Sequence, residues 1–260
     1  MKHFLTEQQV DSFRLNGFLV VEDVLTDDEV AILAARTDLI ASGKATHVPN
    51  TSIQLEPVFR TGERQIENQV MSVRKLYTLA VHDDVMWSFA THIKIVDIVA
   101  DLLETDHIKM YTDQLFMKSP ETGSEQPWHQ DSASWLDLFP MDLVSAWIAI
   151  DEATTENGCL NFAVGTHRWG MMNKQQIQTQ VPQLGQEPWP IVPVPLKPGS
   201  ISFHHSLVLH RSGANVSKQR RRGYAVHYMR ATTIKDESVK GAPKLPPFRQ
   251  VRGHSFSGCV

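Results

Sequence analysis

The stretch from Pro127 to Ser134 contains the residue types of a metal site. It reads Pro-Trp-His-Gln-Asp-Ser-Ala-Ser, so His129 and Asp131 are two positions apart. If this stretch is a strand, both side chains leave the same face of the sheet. Two histidines and one carboxylate on one face of an octahedral metal are typical of non-haem Fe(II) sites. The second histidine must come from a distant strand, and His210 is the candidate.

The spacing of His129 and Asp131 is weak support by itself. With 12 histidines and 29 acidic residues in the chain, roughly one His-x-acid pair arises by chance. A second pair, His82 and Asp84, lies in a stretch whose apolar residues have helical spacing, where residues two apart face different directions. We therefore expect no metal at the second pair, and the residues downstream of His129 decide the assignment of the first.

Those downstream residues could hold a carboxylate. Arg221 follows His210 by eleven positions, enough for a turn at Gly213 to Asn215 and an antiparallel return beside the metal-bearing strand. A guanidinium there could bind a carboxylate in bidentate fashion. A 2-oxo acid with a second carboxylate would suit both groups, since its 1-carboxylate and 2-oxo oxygen can chelate the metal while the far carboxylate pairs with Arg221.

These motifs together resemble the phytanoyl-CoA dioxygenase family of Fe(II)/2-oxoglutarate-dependent oxygenases. The resemblance covers nearly the whole chain. One departure is Gly-Thr-His at 165–167, where family members often carry Gly-Ser-His. The shared segments are Gly17-Phe18-Leu19-Val20-Val21, Trp128-His129-Gln130-Asp131, Asn157-Gly158-Cys159-Leu160, Gly165-Thr166-His167, Lys197-Pro198-Gly199 and His210-x-Ser212-x-x-Asn215-x-Ser217-x-x-x-Arg221.

The resemblance implies a reaction and a set of site residues. With Fe(II), 2-oxoglutarate and O2, such an enzyme oxidises an unactivated C–H bond of a small molecule, usually by hydroxylation, and releases succinate and CO2. The implied fold is a double-stranded β-helix of the cupin-like type. By resemblance the residues divide into iron ligands (His129, Asp131, His210), groups for the 5-carboxylate of 2-oxoglutarate (Arg221, Ser212) and further lining of the cosubstrate pocket (Gln114, Trp147, Lys75), with the iron ligands and Arg221 as the catalytic set.

The element pattern independently predicts a mainly β fold with flanking helices. Capping boxes at Thr6 and Thr26 predict helices that end near Gly17 and Gly43. The apolar positions of 75–103 predict two or three more helices. Many short β-rich segments follow and indicate a jelly-roll barrel supported by helices. They are Ile108–Lys118, Leu143–Ile150, Cys159–Val164, Ile191–Leu196, Ser200–His204, Val208–His210 and Gly223–Arg230.

The chain has the length of one large domain. We expect a single domain over 1–260, with helical support at about 1–105, a β-barrel core at about 106–235 and a tail at 236–260. Segments 45–66 and 170–190 show no steady period, which predicts loops or irregular strand that cover the substrate.

Composition excludes several other classes of protein. A net charge of −4 and 42% hydrophobic residues give no sign of nucleic-acid binding. Two cysteines are too few for a disulfide framework. The sequence shows no apolar run of membrane-spanning length and no signal peptide, so we expect a cytoplasmic protein that does not bind a membrane. The resemblance implies a small-molecule substrate, and the oligomeric state of the protein is left open.

Two alternative functions use the same ligands. A cupin-like metal isomerase or hydrolase would not need Arg221 with Ser212, and a catalytically silent binding protein would usually have lost a ligand. Of the remaining polar residues, His204 and His205 are expected to be structural, and Arg220 and Arg222 to face away from Arg221.

Overall fold

The computed structural model describes residues 4–185, 189–239 and 248–260. Within these ranges the chain forms helices α1 (Glu7–Asn16), α2 (Asp27–Ala41), α3 (Pro57–Arg60), α4 (Gln69–Ser72), α5 (Asp84–Ala90), α6 (Ile93–Leu103) and α7 (Lys174–Gln180). The strands are β1 (Phe18–Val21), β2 (Ile53–Leu55), β3 (Val73–Tyr77), β4 (Ile108–Lys118), β5 (Gln126–His129), β6 (Leu138–Phe139), β7 (Val144–Ala149), β8 (Leu160–Ala163), β9 (Ile191–Val194), β10 (Ile201–His205), β11 (His210–Ser212), β12 (Arg221–Arg230), β13 (Ile234–Lys235) and β14 (Arg249–Arg252).

The described strands form two main sheets. The larger runs β1-β10-β7-β12-β4-β3-β2, with β14 also paired to β4. The smaller runs β5-β11-β8-β9, and β6 pairs separately with β13. Neighbouring strands in both main sheets are antiparallel. This is the jelly-roll, double-stranded β-helix arrangement, and the predicted mainly β fold with flanking helices is confirmed.

The two faces of the larger sheet pack against different layers. Along β12, Tyr224 and Tyr228 join the cluster formed with the helices, and the Tyr228 hydroxyl donates to Ala90 O at 2.8 Å. Ala225 points the other way and packs with Trp147 of β7 and Phe162 of β8 in the smaller sheet. Because side chains alternate along a strand, odd-numbered positions from 221 to 227 face the space between the two sheets.

The first two helices begin as the sequence predicts. Thr6 and Thr26 each accept a hydrogen bond from the backbone N–H three residues later, which completes the predicted capping boxes. Gly17 ends α1 with a left-handed φ of 82°, a conformation that glycine adopts without a steric cost. The second helix ends earlier than predicted, at Ala41, with Ser42 as its cap.

The prediction of helices over 75–103 was wrong for the first part of that range. Residues 73–77 form β3, in which Leu76 joins the helix-side cluster while Lys75 and Tyr77 belong to the opposite face. Helix α5 begins only at Asp84, after its N-cap Asp83. Apolar residues three apart suit a helix, but here they belong to a strand and the turn that follows it.

Both segments without steady period contain regular elements. Residues 45–66 include the short strand β2, whose register shifts between Gln54 and Leu55, and the helix α3. This fits an irregular strand better than a loop. Residues 170–190 include α7, and Met172, Ile177 and Leu184 are buried in one apolar cluster. Residues 186–188 of that segment lie outside the described residues.

Other boundaries differ from the prediction. The predicted strand Val208–His210 is instead β11, His210–Ser212. The larger sheet extends beyond the predicted core of 106–235, since it includes β1, β2, β3 and β14. In the predicted tail, β14 pairs with β4, and residues 240–247 lie outside the described residues. Whether the chain is one domain stays a prediction.

The cap of α2 gives a test of the local folding signals. Thr26→Ala should lower the free energy of unfolding by about 1 kcal/mol, because the Glu29 N–H loses its acceptor. Thr26→Ser keeps the hydroxyl and should remain near wild type. Urea unfolding followed by circular dichroism measures both variants, and an equal loss in Thr26→Ser would contradict the capping role.

Candidate active site

His129, Asp131 and His210 converge as the sequence predicts. Candidate ligand atoms of the three residues all lie within 4.8 Å of one another. Asp131 Oδ1 is 3.7 Å from His129 Nε2 and 3.6 Å from His210 Nε2. The two histidines are direct partners in the pairing of β11 with β5. The expected common strand was wrong, because β5 ends at His129 and Asp131 begins a 3-10 turn over Asp131–Ser134.

Both histidine rings are oriented by backbone carbonyls. His129 Nδ1 lies 2.8 Å from Pro127 O, and His210 Nδ1 lies 3.0 Å from Val208 O. A carbonyl only accepts, so each Nδ1 carries the proton and each Nε2 presents a lone pair. Burial lowers the pKa of His129 and holds that of His210 well below its usual value. Neutral imidazole with a free Nε2 is the form that binds a metal.

The Asp131 carboxylate is held through one of its oxygens. Oδ2 accepts from Ser145 Oγ at 2.8 Å and lies 3.2 Å from His204 Nε2. Burial alone would raise the pKa of Asp131, but His210, His204 and His227 hold it well below its usual value. Oδ1 is therefore left as a charged oxygen facing the two imidazoles.

A chain of hydrogen bonds continues behind Asp131. Ser145 Oγ is 2.6 Å from His227 Nδ1, and His227 Nε2 is 3.0 Å from Gln114 Nε2. The Ser145 proton goes to Asp131, so the hydroxyl must accept from His227 Nδ1–H. His227 Nε2 then accepts from the Gln114 amide. Neither Ser145 nor His227 could be recognised from the sequence, because the two contacts of His227 join strands 82 or more residues apart.

An inner cavity extends from the candidate ligands to Arg221. It has an empty volume of about 430 Å³, and its walls include His129, His210, Ser212 and Arg221. The Arg221 side chain is 1% exposed. Its Nη2 donates to Gly158 O at 2.6 Å, while its buried Nε has no hydrogen-bond partner. Burial lowers the pKa of Arg221 to about 10, so it is charged at neutral pH.

The position of Arg221 differs in one respect from the expectation. Its strand, β12, pairs with β4 and β7 in the larger sheet and does not return beside β11. Arg221 therefore faces Ser212 across the space between the two sheets. Its neighbour Arg222 points to the helix side and pairs with Asp151 and Asp38, as the alternation predicts.

The other predicted cosubstrate contacts occupy different places. The Trp147 ring lies against the Arg221 guanidinium, with 5.2 Å between the ring centroid and Cζ. Gln114 lines both the inner cavity and an outer groove. Lys75 lines only the outer groove, where its Nζ is 4.4 Å from the Phe116 ring centroid. Burial lowers the pKa of Lys75 to about 8.

The outer groove reaches two of the candidate ligands, His129 and Asp131. It has an empty volume of about 1050 Å³ and shares Gln114, Phe116, Gln126, His129 and Asp131 with the inner cavity. Its remaining walls include aromatic and hydroxyl side chains from β3, β4 and the 3-10 turn. They are Tyr77, Thr78, Tyr111, Thr112, Ser134 and Trp135.

The second His-x-acid pair, His82 and Asp84, lies at the start of α5, where Asp84 is the first helical residue and Asp83 between them is the N-cap. Asp83 caps α5, accepting from the backbone N–H groups of Val85 and Met86 at 3.0 Å each. Its other oxygen is 2.8 Å from His47 Nε2. No metal-ligand cluster at His82–Asp84 is found among the described residues.

Lys118 was missed in the sequence and lies beside Arg221. The two residues are partners in the pairing of β4 with β12. Lys118 Nζ donates to Ser212 Oγ at 2.8 Å. The alternation of β4 puts Gln114, Phe116 and Lys118 on one face, and this is the signal from which Lys118 could have been found.

Comparison with known proteins agrees with this geometry. The family model described as phytanoyl-CoA dioxygenase (PhyH) matches residues 13–223. The chain belongs to the phytanoyl-CoA dioxygenase family. Phytanoyl-CoA dioxygenase domain-containing protein 1 of Bos taurus is 28% identical over 284 residues, which cover 93% of this chain and 97% of the relative. A phytanoyl-CoA dioxygenase of Arabidopsis thaliana is 24% identical, over 89% of this chain and 91% of the relative.

Solved structures share the fold. EctD from S. alaskensis, crystallised with 2-oxoglutarate and 5-hydroxyectoine, has a TM-score of 0.78 and 22% identity over 99% of this chain and 87% of its own. The epimerase SnoN, in complex with Fe3+, alpha ketoglutarate and nogalamycin RO, has a TM-score of 0.70 and 21% identity over 97% of this chain and 96% of its own.

The family membership confirms the predicted enzyme class and cofactors. This phytanoyl-CoA dioxygenase family member is a 2-oxoglutarate-dependent non-haem iron oxygenase that uses Fe(II), 2-oxoglutarate and O2. The site fits these groups on two counts: two imidazole Nε2 atoms and a carboxylate oxygen converge, and a buried arginine has an unpaired Nε. Among the described residues, no helix has the length and apolarity to cross a membrane.

The hydrogen bond behind Asp131 gives a test. Ser145→Ala should weaken Fe(II) binding by roughly tenfold or more, as is typical when a ligand loses its outer partner. The matched control is Ser202→Ala on β10, since the buried Ser202 hydroxyl has no hydrogen-bond partner. Anaerobic Fe(II) titration measures both variants. Equal affinities in wild type and Ser145→Ala would show that Ser145 does not support the ligand.

Proposed function

We propose that this enzyme hydroxylates, or otherwise oxidises, an unactivated C–H bond of a small organic molecule and releases succinate and CO2 from 2-oxoglutarate. His129, Asp131 and His210 bind the iron, and Arg221 with Ser212 binds the 5-carboxylate of 2-oxoglutarate. The observation that carries the proposal is the inner cavity, which joins three converging ligand atoms to a buried arginine. Among the described residues no carboxylate forms an ion pair with Arg221.

The residues have distinct tasks in this proposal. When bound, Fe(II) and 2-oxoglutarate supply an oxidation with O2 that side chains cannot perform. Arg221 binds the far carboxylate, and Trp147 fixes the guanidinium by packing on it. Gln114 orients His227 on the border of both cavities. Lys75 lines the outer groove alone, so its contact with the cosubstrate would be made at the iron end.

The outer groove is where we place the primary substrate. Its walls include His129 and Asp131 but neither Arg221 nor Ser212, so a substrate can lie beside the iron while the cosubstrate occupies the inner cavity. Tyr111 and Trp135, whose ring centroids are 4.8 Å apart, form an aromatic wall. A wall of this kind binds a small organic molecule by packing, with nearby hydroxyl groups for orientation.

Segments 45–66 and 170–190 enter the proposal in different ways. Gln54, in the first segment, accepts from the hydroxyl of Tyr77 at the groove. In the second, Gly170 O accepts from the Gln130 side chain and Met172 N–H donates to it. Gln130 lies between two candidate ligands in the sequence, so the start of this segment supports the ligands.

The alternative functions are less well supported. A metal isomerase or hydrolase has no use for a buried arginine that faces an anion pocket behind the ligands. A silent binding protein would be expected to lack a ligand, and all three are in place.

Succinate formation tests the proposed function directly. With Fe(II), ascorbate and air, the wild type should convert 2-oxoglutarate to succinate, and a panel of small molecules should identify the substrate that increases turnover. His210→Ala should abolish turnover because one iron ligand is removed. Asp84→Ala, in the second His-x-acid pair, should stay near wild type. Equal loss in both variants would reject the ligand assignment.

The anion pocket gives a second test. Arg221→Ala should weaken 2-oxoglutarate binding by about 2–5 kcal/mol, as expected when one partner of a buried charge pair is removed. Fe(II) content should be unchanged. The control is Arg220→Ala, because Arg220 pairs with Asp38 near the surface. Calorimetric titration with 2-oxoglutarate measures both variants, and the absence of binding to the wild type would overturn the proposal.

A further inference from the structure

Lys118 is a second buried basic residue beside Arg221, and it contacts Ser212, which lines the inner cavity. It is 4% exposed and lies opposite Arg221 in the pairing of β4 with β12. Its Nζ donates to Ser212 Oγ at 2.8 Å, to Ser212 O at 3.2 Å and to Gly213 O. All three acceptors belong to β11 or the turn after it, and none of them is a carboxylate.

Lys118 and Arg221 have no acidic partner among the described residues, since neither forms an ion pair with a carboxylate side chain there. Glu56 and Glu125 are the acidic groups that influence Lys118, and their effect is smaller than those of burial, Arg221 and Arg74. Burial, Arg221 and Arg74 lower the pKa of Lys118 to about 6, against a smaller opposite effect of the two glutamates. A bound carboxylate would supply a negative charge and favour the ammonium form.

The protonation of Lys118 determines what Ser212 can do. An ammonium has three protons for its three acceptors, so the Ser212 hydroxyl accepts from Nζ and keeps its own proton. That proton can then point into the cavity, which Ser212 lines. A neutral amine has only two protons, so one contact must reverse, and Ser212 is the acceptor that also carries a proton to donate. The hydroxyl would then be unavailable to a carboxylate.

We propose that Lys118 is a positioning residue for the 5-carboxylate of 2-oxoglutarate, acting through Ser212 and adding positive charge beside Arg221. The inference rests on the proposed function of Arg221 and Ser212. It predicts that 2-oxoglutarate binds with proton uptake, because the carboxylate stabilises the charged form of Lys118.

The turn at Gly158 is shaped around the same group. Gly158 has φ +87°, and its carbonyl accepts from Arg221. A Cβ at this position would lie 3.2 Å from Lys118 Nζ and 2.4 Å from Gly213 O. Only glycine leaves room for the lysine, the turn after β11 and the Arg221 contact together.

The test compares two lysines of one strand. Lys118→Met removes the charge at similar size, and Lys109→Met makes the same change at the other end of β4, where Lys109 is buried and donates to Val260 O. Lys118→Met should raise the Kd of anaerobic Fe(II)-loaded enzyme for 2-oxoglutarate by about tenfold. A tenfold rise in this Kd corresponds to the loss of one charged contact. Fe(II) affinity, and kcat at saturating 2-oxoglutarate, should stay within about twofold of wild type. Lys109→Met should leave the Kd unchanged.

Proton uptake on binding of 2-oxoglutarate provides a second measurement. It would not change if Lys118 had only a structural role. Calorimetric titrations at pH 7.5 in buffers of different ionisation enthalpy count the protons taken up with 2-oxoglutarate. Wild type should take up a substantial fraction of one proton. Its affinity for 2-oxoglutarate should be highest below about pH 6, the pKa of Lys118 without ligand. The affinity should fall as pH rises toward the higher pKa of Lys118 in the complex. Lys118→Met should lose this uptake. Lys118→Arg, which stays charged, should also lose it but keep most of the affinity.

The outcomes separate this inference from the proposed function. If wild type binds no 2-oxoglutarate, the proposed function fails and the role of Lys118 fails with it. If Arg221→Ala loses binding while Lys118→Met keeps both affinity and proton uptake, only the role of Lys118 is rejected. If Lys109→Met weakens binding as much as Lys118→Met, the loss is structural and the inference is overturned.

Discussion

The pairing of β11 with β5 determines where both histidine rings can point. His210 lies opposite His129, with ring centroids 4.1 Å apart. A slip of one residue would turn either side chain to the other face of the sheet. Each ring is also held by a carbonyl two residues earlier in its own segment. Register and hydrogen bonding together therefore present two Nε2 atoms to Asp131.

Strand β12 links that centre to the rest of the fold. On one face Arg222 pairs with Asp38 of α2, and Tyr224 donates to the buried Asp113. On the other face Arg221 and His227 reach the inner cavity and the hydrogen-bond chain behind Asp131. The helix layer, although it contributes no ligand, therefore fixes the strand that carries the anion pocket.

Helix caps and residues within recognisable motifs could be predicted from the sequence, whereas polar contacts between distant parts of the chain could not. Capping at Thr6 and Thr26 depends on residues three positions apart, and the ligand candidates stood out through their spacing and their resemblance to a family. Ser145 had no such signal, since it meets His227 across 82 positions. Lys118 was indicated only by the alternation of β4, because its contact with Ser212 spans 94 positions. The strand β3 was missed because its apolar residues also suit a helix.

The alternation of β12 has a consequence for how this sequence can change over time. Val226 and the rings of Tyr224 and Tyr228 contact an apolar layer, where substitutions that conserve volume are tolerated best, although both tyrosine hydroxyls also donate a hydrogen bond. Gly223 lies beneath Trp147, and an added Cβ would be 1.9 Å from that ring. Together with Arg221 and His227 it meets polar or sterically tight surroundings that admit few substitutes. Amino-acid substitutions along this strand should therefore follow a period of two, with more tolerant and less tolerant positions alternating.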